Sequence, residues 1–386
     1  MFRKSSATNF GRSALSRWLA TGSLVAALHL LPLTKARAQN HADYRYELYK
    51  EENGRIEVQT HSALTEVELR QWMSVKAQIV YDAISGATPT GERPRAGRLP
   101  TVEVEDDRYA GTIEVGMKYR NVTFRPQFAY SEEGDYRSIS AGLNTSIEFN
   151  QKNTTLNLGV AHNWDTIIPT EGTVLTTEET KDTTDFFIGL TQLLGPKMFV
   201  TANFTYGIGS GYFSDPYKVV EFSGYPAPLG ESRPDRRDKQ IAYLALTRAI
   251  DSLNASAELS YRYYHDSFGI DAHTVGLTWF QKFGSKVVLA PTFRFYNQSA
   301  ADFYAVSFPG DPTTPNGGAP RHYSADYRLS DFDAFTYGVS LLWRVRDNVH
   351  LDFNYKRYEM FGNDGNTPKD AYPSANVFGI GFRVWF

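Results

Sequence analysis

The residues best suited to chemistry fall into two sets. His265-Asp266 is followed by Asp271 and His273, so two imidazoles and two carboxylates sit close together in the chain. Such a set could ligate a metal, or act as acid and base, if its side chains converged. The alternative is a solvated rim. The second set is spread along the chain: Glu114, Lys118, Arg125, Glu148 and Glu258, then Arg262, Arg294, Arg344, Asp352 and Lys356. Each occupies a position that alternates with apolar residues, so together they would line one polar surface. Mixed signs fit either a salt-bridged interior or a lining that selects a solute.

Other chemistries find no support in the residues. The absence of cysteine excludes a disulfide framework, a thiolate metal site and a cysteine nucleophile. No serine lies in a nucleophile-elbow context. Gly207-x-Gly209-x-Gly211 ends a strand with no helix after it, so it does not cradle phosphate. Carboxylates Asp302, Asp311, Asp326, Asp331 and Asp333, with Arg328 among them, crowd one Pro- and Gly-rich stretch. Clustered oxygens there would suit calcium, although the spacing matches no known loop. No cofactor is implied.

The elements that carry these residues are strands. Ile139, Ala141, Leu143, Thr145, Ile147 and Phe149 alternate with Ser140, Gly142, Asn144, Ser146 and Glu148, and the same period of two recurs at Leu253–Tyr263 and Phe335–Val345. The segments run roughly 10–14 residues, longer than the usual soluble strand of about 5–6 and long enough for a tilted bilayer crossing of about 9–11. Short connectors near Asn121, 151–153, Gly195, Asp251, Gly284 and Asp347 alternate with long ones near 83–107, 165–181, 209–236, 300–331 and 361–373. That layout predicts an all-β, antiparallel transmembrane barrel with short periplasmic turns and long extracellular loops. Counting back from the C-terminus gives sixteen strands, or fourteen if the first hairpin, 43–67, packs elsewhere. The 14% aromatic content, in a chain whose mean hydropathy is −0.41, then has a cause. Rings face lipid while every second residue faces water.

The N-terminus reads as an address. Arg3, Lys4, Arg12 and Arg17 precede an apolar stretch from Trp18 to Leu33 and a small-x-small site at Ala36-Arg37-Ala38. This predicts a signal peptide over 1–38, cleaved after Ala38, and one barrel domain over 39–386. Export would leave 34 basic and 43 acidic side chains, a net charge of −9, which argues against nucleic acid as a partner. The last strand ends in Phe382, Val384 and Phe386, similar to the terminal signal read by the barrel-assembly machinery.

Several segments resemble a family of bacterial outer-membrane proteins known only as domain of unknown function 3570. They are Tyr81–Ala87, Ser131–Tyr136, Gly211–Lys218, Tyr261–Phe268, Tyr296–Tyr304 and Ser324–Leu329. Phe268 stands where the family would favour Trp. The resemblance implies an outer-membrane location, contact with lipid and lipopolysaccharide, and a periplasmic redox-linked partner, but no activity. The expected function is a channel or transport component for a small solute. A non-conducting scaffold for a periplasmic redox or lipoprotein partner is the alternative, and a barrel hydrolase using the His265 rim the third. An enzyme is not expected.

Overall fold

The computed structural model describes residues 40–170 and 172–386. The expected leader, with its cleavage after Ala38, lies outside the described residues. The strands are β1 (His41–Glu51), β2 (Glu57–Arg70), β3 (Met73–Pro89), β4 (Thr101–Tyr119), β5 (Val122–Glu132), β6 (Tyr136–Phe149), β7 (Thr154–Ile167), β8 (Glu179–Gly195) and β9 (Met198–Gly211). After a two-stranded ribbon of β10 (Val219–Val220) and β11 (Leu229–Gly230) come β12 (Arg236–Ile250), β13 (Ala255–Asp266), β14 (Asp271–Phe283), β15 (Val287–Gln298), β16 (Phe332–Arg346), β17 (Val349–Gly362) and β18 (Ser374–Trp385).

All but the ribbon form one closed antiparallel sheet of sixteen strands, in which β18 pairs with β1. The first hairpin therefore belongs to the wall, which decides between sixteen strands and fourteen. Its turn is built on Asn53 and Gly54, both with φ near +60 to +70° (61° and 69°), the conformation a two-residue hairpin turn requires. No helix of the described residues is long and apolar enough to cross a membrane, which says nothing about strands.

The period-two pattern sorts the side chains onto two faces. Leu143, Ile188, Leu259, Tyr337 and Phe378 point outward and are each exposed, whereas Ser138, Asp165, Thr247 and Asn354 point inward and are buried. Rings form rows across the outside: Tyr46, His61, Tyr81 and Tyr109 pair in register on β1 to β4, with successive ring centroids 5.1, 6.1 and 5.1 Å apart. Trp72, Tyr119, Phe149, Phe283 and Trp343 mark the outer surface near the short-turn end. Two such belts around an apolar band are what a bilayer selects.

The strands are longer than their sequence boundaries suggested. β3 runs to Pro89 and β4 spans 19 residues, so the connector placed near 83–107 shrinks to 90–100. At a rise of about 3.3 Å per residue, β4 is roughly 60 Å long and extends well beyond a hydrocarbon core of about 30 Å. Three connections at the long-loop end are themselves short: 52–56, 133–135 and 267–270. The long ones, 90–100, 168–178, 212–235, 299–331 and 363–373, share that end.

The two faces give a direct test. Leu259 is 54% exposed yet sits on the apolar band, so Leu259→Arg should destabilise by about 2–4 kcal/mol in urea unfolding from liposomes. Ser140→Arg, on the inward face where the wall borders a cavity of about 220 Å³, should cost under about 1 kcal/mol.

Candidate functional site

Inside the barrel, charges are carried by the alternate positions that the sequence marks. Arg45 on β1 meets Asp352 on β17 at 2.5 Å, and Arg383 on β18 binds Asp43 through two nitrogens at 2.6 and 2.5 Å. Room for this comes from Gly381: a Cβ there would stand 2.5 Å from the Asp352 carboxylate. Glu114 and Arg125 approach to 3.9 Å, and Arg125 also donates to Ser146. Glu258 accepts from Thr247, and Glu148 meets Lys152 at 3.5 Å near the short-turn end. Lys118 pairs with Thr123, and Arg344 stands opposite His350, toward that same end. Arg262, Arg294 and Lys356 line the wall of β13, β15 and β17.

The candidate rim set is divided by the barrel wall. His265 and Asp271 face outward, 3.0 Å apart, in the same aromatic surroundings as His273, whose Nδ1 lies 2.7 Å from the Tyr261 hydroxyl. Asp266 faces inward. It is buried, accepts from the Phe268 and Ile270 amides, and holds Arg237 at 2.5 Å. The strand period that puts neighbours on opposite faces prevents these four side chains from converging on one ion or substrate.

The rest of the rim set belongs to a cap. Loops 212–235 and 299–331 fold against each other through Val220, Phe222 and Ala325, with Phe308 and Tyr323 packed alongside. Phe268, Ile270, Ala301, Phe303 and Leu329 form a second apolar cluster, and Asp302 is tied to it by its amide, which donates to the Phe268 carbonyl. Loop 90–100 is stitched in by a bond from the Val219 amide to the Thr90 carbonyl. Gly91, at φ +101°, permits this approach, because a Cβ would lie 2.6 Å from the Val219 oxygen. Tyr327 reaches the turn between β1 and β2, where Arg55 donates to its hydroxyl at 3.2 Å.

At the centre of the cap lie three carboxylates and three cations, of which Lys218, Glu231 and Asp326 are buried and Asp215, Arg233 and Arg328 partly so. Arg233 bridges Glu231 at 2.7 Å and Asp326 at 2.8 Å, while Arg328 bridges Asp326 and, at 2.5 Å, Asp215. Ser324 donates to Glu231, and Lys218, 1% exposed, donates to Thr88 and to the Pro89 carbonyl at the end of β3. Burial works against charge on Asp215, yet Arg328 and Lys218 outweigh it and hold the carboxyl below the usual range. Asp326 is likewise held well down: burial opposes its charge, but Arg328 and Lys218 prevail. Burial pushes the Glu231 carboxyl up despite Arg233.

Asp326 and Arg328 are visible in the sequence as polar loop residues, but not as the hub of this network. Their partners Asp215, Lys218, Glu231 and Arg233 lie some 90–115 positions away with no periodic signal. Of the loop carboxylates that suggested calcium, Asp331 accepts from Asn363, Asp333 accepts from Asn297, and Asp326 lies in the ionic cluster. A different group, Asp106, Glu133 and Asp135, brings buried carboxylate oxygens within 4.8 Å of one another near the outer ends of β4 and β5. Their donor chemistry would suit a hard divalent cation. Ser131–Tyr136 flags two of the three in the sequence, and Asp106 joins them through the pairing of β4 with β5.

Removing one partner of a buried ionic network leaves the others uncompensated, at about 3–5 kcal/mol. Asp326→Ala should therefore open the cap, seen as faster hydrogen exchange in 212–235 and 299–331 while the strands stay protected. The pH response follows from Asp215 and Asp326, whose folded values lie below the ordinary 3.8. Their contribution is complete above that value and is lost as pH falls through the lower, folded values. Glu231, shifted upward, contributes in the opposite sense, being worth more when protonated. Cap protection should hold from pH 7 to about 4 and collapse below.

One solved barrel shares the fold at low identity, and others resemble it more loosely. CdiB from Acinetobacter baumannii is 8% identical with a TM-score of 0.53; the match covers 91% of this chain and 61% of that one, so the chain spans less than two thirds of its length. Outer-membrane expressed OmpT of Vibrio cholerae is 10% identical with a TM-score of 0.48, covering 92% and 99%. OccK1 (OpdK) of Pseudomonas aeruginosa is 9% identical with a TM-score of 0.43, covering 90% and 98%. No curated protein matches the sequence. The family model described as "Protein of unknown function (DUF3570)" matches residues 15–180 and 171–371, nearly the whole chain, and the protein belongs to that family.

Proposed function

We propose that the chain is an outer-membrane barrel that passes a small solute, as a channel or transport component whose outer mouth is closed by the loop cap. The observation that carries this reading is the contrast between wall and cap. The wall is a closed sheet with a polar, mixed-charge interior, while the cap is a separate set of loops held by a discrete ionic cluster. A wall of this kind needs no further filling to be stable, and a cap fastened by a few pairs can release. The leader over 1–38 and the final strand, with Phe382 outward and Phe386 at its end, fit export and handling by the barrel-assembly machinery. The aromatic belts fit lipid and lipopolysaccharide.

A second reading has its own support. A cap this buried also suits a silent barrel that serves as a scaffold for a periplasmic redox or lipoprotein partner. A hydrolase is disfavoured, because His265, Asp271 and His273 face away from the lumen. Replacing His265 and His273 by Ala should change no activity.

Planar-bilayer recordings separate these readings. The wild-type barrel should show small or infrequent openings, and Asp326→Ala should raise conductance or open time at least several-fold. A silent wild type and a silent variant, with a periplasmic protein co-purifying, would favour the scaffold.

A further inference from the structure

We propose that the lumen wall beneath the cap carries a recognition site for a small anion bearing a carboxylate or phosphate group, built from Arg262, Arg294 and Lys356. This rests on the transport reading and names the solute class that the reading leaves open.

The site is written as a repeat. Three alternate strands each place a cation two residues before a tyrosine on the inward face: Arg262 and Tyr264 on β13, Arg294 and Tyr296 on β15, Lys356 and Tyr358 on β17. The strands between them contribute small residues in register. Thr274 stands beside Arg262, Gly276 and Thr336 flank Arg294, and Gly338 stands beside Lys356. Three cations therefore project from the wall over a floor of glycine and threonine, with three phenol rings next to them on the cap side.

Like Lys118 and Arg344 nearer the short turns, Arg294 and Lys356 lack the close carboxylate that most inward cations have. Arg45, Arg108, Arg237, Lys239 and Arg383 each sit against a carboxylate at 2.5–3.0 Å. Among the described residues, no carboxylate comes within 4.0 Å of Arg294 or Lys356. Arg294 instead has the Tyr296 ring 5.7 Å from its guanidinium, and its charged neighbours include Arg262. Among charges, Lys356 feels Glu47 most strongly, as an opposite one, and then Arg45 and Arg294 as like charges, with no carboxylate in direct contact.

Half-buried like charges held on alternate strands repel one another and concentrate a positive potential in that part of the lumen. An anion entering there is attracted by all three and can hydrogen-bond a planar guanidinium with two oxygens at once. Ring faces beside the cations add contact area for an anion that carries a ring. On the opposite wall, β3 to β8, Asp82, Asp165 and Asp185 are joined to Arg108, Lys181 and Lys239, and Lys118 and Arg125 have no tyrosine two residues on.

The test measures binding apart from conduction. Detergent-solubilised full-length barrel would be titrated calorimetrically with sodium benzoate and with inorganic phosphate at low ionic strength. The variants are Arg294→Gln with Lys356→Gln, and, as a control of equal charge change, Lys197→Gln with Lys286→Gln at exposed turns. Retained heat-modifiable migration on gels would show that each variant is folded. The expected result is saturable binding of at least one probe to wild type and control, weakened at least tenfold in the double variant and by added salt. No saturable binding to wild type, or equal binding to the double variant, would overturn the site. Binding by a barrel that never conducts would defeat the transport reading and leave the site standing; conduction without binding would do the reverse.

Discussion

The rest of this structure depends on one constraint: in lipid, no backbone N–H or C=O can go unpaired. An open sheet has two edges that would expose such groups, so the chain must return its last strand to its first. Here β18 pairs with β1 over eleven residues, from His41 opposite Trp385 to Glu51 opposite Ala375. Closure fixes the register of every strand. Register in turn fixes which residues meet lipid and which meet the lumen, since a slip of one residue would exchange the two faces.

From that follow both the filling and the strain of the interior. Inward positions are largely polar, and buried charges among them need compensation. The wall solves this mainly by cross-strand pairs, Arg45 with Asp352, Arg383 with Asp43, Arg108 with Asp82. Glycines such as Gly381 make the space in which those long side chains lie. The basic stretch from β13 to β17 departs from this balance, and such departures from local compensation are where function is most economically sought. The cap meets a harder problem, since Lys218, Glu231 and Asp326 are buried and their partners partly so. It answers with equal numbers of both signs, with a hydroxyl and a backbone amide donating to Glu231, and with a backbone carbonyl accepting from Lys218.

Much of this was legible in the residues. Alternation from Ile139 to Phe149 and from Phe335 to Val345 gives the strands and their inward faces, because a strand's side-chain period is a local property. The parity of the turns gives sixteen strands. The inward direction of Arg262, Arg294, Asp352 and Lys356 needs nothing more than the same period. What the period cannot supply is partnership across distance. Asp326 and Arg328 read as polar loop residues, yet their partners come from loop 212–235, and only the folded loops bring them together. Likewise His265 and Asp266 look like one site in the chain, whereas the pleat sends them to opposite sides of the wall.

The central claim is that the cap is a distinct, ionically fastened element closing the long-loop end of a polar lumen. The natural absence of cysteine allows it to be probed one position at a time. Val220 is fully buried within the cap, whereas Thr313 lies in an exposed stretch of the same end. Val220→Cys and Thr313→Cys would each be treated, in intact outer membranes, with a membrane-impermeant thiol reagent. The account predicts rapid labelling at 313, protection at 220, and loss of that protection when Asp326→Ala is added. Labelling of Val220→Cys as fast as Thr313→Cys in the otherwise wild-type barrel would contradict it.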